Sequence, residues 1–221
     1  MDNLILILIR HGQTLSNVQS GAPQEISKLG EEQINLLAER LRNTRSDRII
    51  SSKLERAILT AEGICPSVQH ETSELLNEVN RRLVGKKGGH KPQSQSSQSS
   101  GGALDRRYRA IRSRIVRVFR RAVPPKWYIE DEQRMESLWQ WIGSMNGNVI
   151  MVCHGNVIRN LVGKVLRLSK HQCGQLLCDN TSISIVERRN DKWTLMLLND
   201  ISHLPNSQIS DRSSRKACLA C

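Results

Sequence analysis

Two stretches of this 221-residue chain end in the same way: "LILILIRHG" at residues 4–12 and "VIMVCHG" at residues 149–155. Neither run alternates apolar with polar positions, so neither could lay one face of a strand against water. Each needs cover on both faces, as strands do in the middle of a parallel sheet flanked by helices. A chain with two such runs is held to a layered α/β architecture.

The segments between them fit that demand. Ser27-Lys-Leu-Gly-Glu31 opens a helix whose Ile34, Leu37, Ala38 and Leu41 recur at helical spacing through Arg42. Arg48–Ser52 is a second short strand, and Leu54–Ile64 a helix stopped by Pro66. Glu132–Met145 places Met135, Leu138, Trp139 and Ile142 on one side of a helix. After the turn at Gly147-Asn148 and the strand Val149–Cys153, a helix is expected over Asn156–Leu168. Ile183–Arg188, an Asn190-Asp191 turn and Trp193–Leu198 form a hairpin. Strands alternating with helices predict a three-layer α/β/α fold with a mostly parallel central sheet.

One region stands apart. The formal net charge is +12, and residues 79–126 carry 14 Lys and Arg against the single acid Asp105. The rest of the chain holds 19 basic and 20 acidic residues and is close to neutral. Within that region Gly88–Gly102 is Ser/Gln-rich with nothing apolar to bury, which predicts a mobile loop. Leu104–Val123 reads as a basic amphipathic helix, with Tyr108, Ile111, Ile115 and Val118 on one face and arginines around the other. The domain organisation expected is a single domain over residues 1–204, a basic insert at about 85–126, and a disordered tail at 205–221.

The N-terminal apolar run spans only six residues, with no basic segment before it and no small-residue cleavage site after it, so a secretory leader is not expected. No run approaches the roughly 20 apolar residues of a membrane span. The six cysteines then read as reduced thiols of a cytoplasmic protein, with a nuclear location for the arginine cluster as the alternative. Cys153 is expected to be a small core residue. Cys218-Leu-Ala-Cys221 has the C-a-a-X form, but a terminal Cys lies outside the usual prenylation set.

Ligands of open α/β sheets bind at the carboxyl ends of the strands, where both His-Gly pairs fall. Glycine allows close backbone approach, and a following helix offers amide hydrogens to an anion. Arg10 and Arg56, in "SSKLERA", add guanidinium forks that fit phosphate oxygens. Any one of these residues alone would more often be structural. Together they point to a phosphoryl group held by cations and amides beside an imidazole.

The motifs "LIRHGQTLSN", "SKLGEEQ", "SSKLERAILTAE", "LLNE" and "VCHGNVIRNLVG" resemble those of the histidine phosphatase superfamily, the phosphoglycerate mutase-like clan. The likeness covers most of residues 4–204 apart from about 85–126, and "DNTSISIVE" and "LNDISHL" are similar to its phosphatase members. The resemblance implies a phosphoglycerate mutase-like fold and a phosphatase that acts on phosphate monoesters without metal or cofactor. It implies His11 as the nucleophile that becomes phosphohistidine, with Arg10, Arg56 and His154 around the phosphoryl oxygens. Asn17 and the amide of Gly155 assist, and Glu78 is the candidate general acid. The sequence departs from the family after Glu78: the next glycine is Gly85, followed by Lys86 and Lys87, which leaves Glu74 as an alternative acid.

Two other functions remain open on sequence: a mutase that returns the phosphoryl group to a sugar acid, and a weakly active relative that binds anionic partners through the arginine-rich helix. The substrate expected is a phosphorylated small molecule or phosphoprotein, with a polyanion contact through Arg106–Arg121.

Overall fold

The structure is a computed structural model that describes residues 3–19, 24–65, 70–80 and 125–210. The expected Ser/Gln-rich loop and basic helix lie outside the described residues, as do the C-terminal cysteines.

Six strands form one sheet: β1 (Asn3–Arg10), β2 (Arg48–Ser52), β3 (Glu71–Ser73), β4 (Gly147–Cys153), β5 (Ile183–Arg189) and β6 (Lys192–Asp200). Their order is β3-β2-β4-β1-β5-β6. The β3-β2, β2-β4 and β4-β1 pairings are parallel, and β5 and β6 add an antiparallel edge. The two continuous apolar runs, β1 and β4, are thus adjacent in the middle of the sheet, as their composition requires. The described helices are the single turn α1 (Leu15–Val18), α2 (Lys28–Leu41), α3 (Glu55–Ile64), α4 (Lys126–Gly143), α5 (Gly155–Val165) and the short α6 (Lys170–Cys173).

Strand alternation divides the apolar side chains into two cores. Leu4, Leu6 and Leu8 of β1 join Val149, Met151 and Cys153 of β4 on one face, under Met135, Leu138 and Ile142 of α4 and Val157, Ile158 and Leu161 of α5. Ile7 and Ile9 join Ile150 and Val152 on the other, under Ile34 and Leu37 of α2 and Ala57 and Ala61 of α3. Leu4, Leu8, Leu37 and Leu138 are wholly buried, and each such side chain contributes about 1.5–3 kcal/mol. The resulting three-layer fold is the one the sequence predicts.

Several boundaries differ from expectation. The β3 edge strand carries only Glu-Thr-Ser, so no apolar pattern marks it. The α4 helix begins at Lys126, where Pro125 sets the entry, rather than at Glu132. The α5 helix stops at Val165 because Arg167 adopts a left-handed backbone with φ of 55°. The tail expected from residue 205 is ordered as far as Ser210. Asn206–Gln208 form a single 3-10 turn, the Gln33 amide donates to the Gln208 carbonyl (2.7 Å), and Gln13 and Gln33 both donate to the buried Ser210 hydroxyl (3.0 Å each). Residues 211–221 lie outside the description.

The α2 helix sits against the loop after β1 without room for a methyl group. Ser27 caps it by accepting from the Gly30 amide at 3.1 Å. A Cβ on Gly30 would lie 2.2 Å from the carbonyl oxygen of Gln13, and one on Gly12 would lie 3.0 Å from the Gly30 oxygen. Gly12 is therefore needed for packing against α2 rather than to clear a pocket. Gly30→Ala must push α2 away from that loop. Its expected cost is about 1–3 kcal/mol, read as a lower urea midpoint at unchanged slope.

Candidate active site

The register of β1 on β4 builds the site. Arg10 pairs with Cys153, and the His11 amide donates to the Cys153 carbonyl at 3.0 Å. The first residues beyond each strand, His11 and His154, therefore stand side by side, with ring centroids 5.1 Å apart. The connections out of β1 and β4 leave across opposite faces of the sheet, which opens a crevice at these carboxyl ends.

His11 is buried, and its hydrogen bonds define its tautomer. Nδ1 lies 2.7 Å from the Gly12 carbonyl, which can only accept, so Nδ1 carries the proton. Nε2 is left with its lone pair, toward which Arg56 directs Nε–H at 3.2 Å. Burial above all, then Arg10, His154 and Arg56, hold the His11 pKa well below the ordinary histidine value, so the ring is neutral. Arg56 projects from α3, and the same turn is tied to the loop after β1: Thr60 donates to the Arg56 carbonyl (2.7 Å) and accepts from the Gly12 amide (3.0 Å).

His154 is the N-cap residue of α5, and its Nε2 lies 2.9 Å from the Ser52 hydroxyl at the end of β2. Burial, then Arg56, Arg10 and Arg134, push its pKa down to about 2. The second His-Gly pair leads straight into a helix, with Gly155 in its first turn, where amides have no intrahelical partner. The first pair leads instead into an extended loop and a single turn, so of the two His-Gly pairs the one after β4 presents the N-terminus of a longer helix. The Arg10 guanidinium donates to the Cys178 carbonyl at 2.7 Å, while its Nε is buried without a partner.

Glu78, not Glu74, is brought to this group. Glu78 is half-buried, accepts from the Val79 amide at 2.9 Å, and feels the charges of Arg10, Arg56 and Arg159. Burial outweighs those cations and raises its pKa above the ordinary carboxyl value. Glu74 lies in solvent, paired with Lys53 at 2.9 Å, and that pair lowers its pKa. Asn17 is exposed. Its Oδ1 accepts from the Thr14 amide (3.1 Å) and from Asn180 (3.3 Å), and Asn180 in turn donates to the His11 carbonyl (3.0 Å).

Three supporting residues carry no clear signal in the sequence. Arg134 of α4 donates to the carbonyls of Leu75, Asn77 and Glu78 and pairs with Asp131 at 2.7 Å, and Asp131 also accepts from the Asn80 amide. That bracket fixes the loop that carries Glu78. Asn180 holds the backbone of His11, and Asn77 accepts from Ser52 at 2.9 Å. A lone arginine within a helical pattern looks like any solvated cation, and the two asparagines look like turn residues. Among the described residues no group of three or more His, Cys, Asp or Glu is placed to hold a metal ion. The cationic rim of Arg10, Arg56 and the α5 amides suits an anion.

The match to a family follows this geometry. Residues 6–201 match the family model of the histidine phosphatase superfamily (branch 1), and the chain belongs to that superfamily. It is 28% identical over 211 residues to a mitochondrial serine/threonine-protein phosphatase of Xenopus tropicalis, covering 93% of this chain and 67% of that protein. It is 29% identical over 218 residues to a metal-independent phosphoserine phosphatase of Arabidopsis thaliana, covering 90% and 82%. In fold it is similar to the alpha-ribazole phosphatase of Shigella flexneri, with a TM-score of 0.64 at 22% identity over 89% of this chain and 96% of that one. A phosphoglycerate mutase structure from Bacillus anthracis superposes with a TM-score of 0.60 at 20% identity, covering 91% and 95%. The fold is phosphoglycerate mutase-like, and the family and its phosphatase relatives support a phosphatase.

The two neutral histidines tie stability to pH. Both folded pKa values lie below the unfolded value of about 6.5, so their contribution is complete above that pH and is lost as pH falls below it. Each adds a slope of about 1.4 kcal/mol per pH unit in that window. Glu78 acts with the opposite sign: its raised pKa gives stability that is complete below about 4.5 and lost as pH rises. Lowering the pH from about 7 to about 5 should therefore reduce unfolding free energy, and His154→Gln should remove part of that dependence, as read from urea midpoints.

Proposed function

We propose that this protein hydrolyses phosphate monoesters through a phosphohistidine formed on Nε2 of His11, without a metal ion. One observation carries the reading: a neutral imidazole whose Nδ1–H is fixed on the Gly12 carbonyl and whose Nε2 lone pair faces the Arg56 guanidinium. That arrangement is a ready nucleophile next to a phosphate-binding cation.

In the first step the Nε2 lone pair attacks phosphorus and the P–O bond to the leaving group breaks. Glu78 supplies the proton that the leaving oxygen takes up. Its raised pKa, caused by burial, favours the acid form this requires. The imidazole becomes cationic while bonded to phosphorus, and the Nδ1–H bond to Gly12 disperses that charge. Arg10, Arg56 and His154 would hold the phosphoryl oxygens, with the Gly155 amide and Asn17 at the edge of the group. In the second step water attacks phosphorus, its proton passes to the Glu78 carboxylate, and the bond to His11 breaks. Inorganic phosphate leaves, and both groups return to their starting states. The phosphatase relatives, one acting on phosphoserine and others on protein serine and threonine, favour phosphorylated hydroxyl compounds as the substrate class.

The direct test is turnover of an aryl phosphate with chelator present. His11→Ala should lose at least about 1000-fold, and acid-labile, base-stable phosphate should be trapped on the wild type during turnover. Turnover that survives the substitution, or that chelator abolishes, would overturn the proposal. The acid role of Glu78 predicts a second result. The first step needs it protonated, so with an alkyl phosphate the rate should fall as pH rises through its raised pKa. Glu78→Gln should lower kcat about 100-fold or more and remove that alkaline limb.

A further inference from the structure

His154 is tied to the loop that carries Glu78 by a chain of hydrogen bonds whose direction can be worked out from one backbone amide. The Lys53 N–H can only donate, and it meets Asn77 Oδ1 at 3.1 Å, so that atom is the amide oxygen. An amide oxygen can only accept. The Ser52 hydroxyl, 2.9 Å away, must therefore donate to it. Ser52 has one proton and that proton is committed, so its oxygen accepts from the Leu54 amide (3.1 Å) and from His154 Nε2 (2.9 Å). His154 Nε2 thus carries the ring proton. His11 is the reverse, with its proton on Nδ1. The two facing imidazoles are opposite tautomers.

The second ring nitrogen of His154 then has no proton. Nδ1 is closed to water and has no partner. It points away from Ser52 by the geometry of the ring, and β4 lies between β2, which carries Ser52, and β1, which carries Arg10. A phosphoryl dianion offers only acceptor oxygens, so it cannot bond a bare Nδ1 unless a proton lies between them. We propose that Asn77, acting through Ser52, is a positioning residue that fixes His154 as the Nε2–H tautomer, so that the phosphoryl group is bound together with one proton shared with Nδ1.

The charged and titratable groups around His154 agree with this exchange. Burial first, then Arg56 from α3, Arg10 from β1 and Arg134 from α4, keep the ring neutral while no anion is present; His11 faces it, and Glu78 feels the same Arg10 and Arg56. A bound dianion offsets those cations and favours the extra proton. The proton comes from the buffer on binding and returns to it when phosphate is released, so the cycle balances. The inference rests on the phosphoryl-site reading given above.

Long-range proton–nitrogen NMR of the 15N-histidine protein tests it without turnover. His154 in the free wild type should show Nε2 protonated and Nδ1 bare. A proton on Nδ1, or on both nitrogens, would overturn the inference. Asn77→Ala frees the Ser52 hydroxyl to donate to Nε2, and should shift the tautomer ratio toward Nδ1–H by at least about fivefold. Asn77→Asp keeps an acceptor in place and should restore the wild-type ratio, and equal ratios in all three proteins would remove the role of Asn77. Calorimetry with sulfate, a tetrahedral dianion that carries no proton of its own at about pH 8, in two buffers of different ionisation enthalpy, should show uptake of about one proton per anion bound by the wild type. Asn77→Ala should take up less than half of that. Sulfate bound without proton uptake, or inorganic phosphate bound where sulfate is not, would overturn this inference alone. Binding of neither sulfate nor inorganic phosphate would overturn the phosphoryl-site reading and the proton step with it.

Discussion

The hydrogen bond from the His11 amide to the Cys153 carbonyl continues the β1–β4 ladder one residue past the end of β1. The position of every group in the site follows from it. It places two imidazoles in register at the top of the sheet, and it makes the turn after β1 leave toward α2 while the chain after β4 enters α5 directly. A slip of one residue between these strands would exchange the two cores and move both rings away from the crevice. The register is itself held by the leucines and isoleucines of β1, which alternate between the two buried faces.

Burial then sets the chemistry of what the register assembles. For His11, His154 and Glu78 loss of water is the first cause of the shifted pKa, and the arginines come after it. The direction differs with the charge of the ionised form. Desolvation keeps the imidazoles neutral and shifts the carboxyl toward its acid form, which is the pairing a nucleophile and an acid require. The arginines reinforce the effect on the histidines and oppose it on Glu78. Arg134 and Asp131 hold the backbone of the Glu78 loop, so a surface helix determines how deeply the carboxyl sits.

What could be read in the sequence followed from how strongly each residue's surroundings constrain it. Leu4–Ile9 and Val149–Cys153 could be nothing but central strands, and the His-Gly pairs marked their ends. The β3 strand left no trace because three polar residues on an edge need no apolar pattern. The choice between Glu74 and Glu78 could not be made from spacing. It depends on which of two carboxyls, four residues apart, the loop turns inward. Asn180 and Arg134 act on backbone carbonyls, and Ser52 and Asn77 act through single side-chain hydrogen bonds; such contacts impose no periodicity on a sequence. Gly12 was legible as a necessary glycine, but the reason for it, the approach of α2, appears only in the packing.

The strand order has a consequence for how the molecule comes into being. The partners of β1 on either side, β4 and β5, begin at residues 147 and 183, so β1 waits for a long stretch of later chain before it can pair. Ser210, which bonds to Gln13 just beyond His11, comes later still. During synthesis the segment "LILILI" is an unpaired apolar strand of the kind that associates with other chains. Contacts of such long sequence separation make folding slow. The pair of histidines cannot assemble until β4 has been made, so a chain that stops short of it lacks both the second imidazole and the neighbouring strand that places the first.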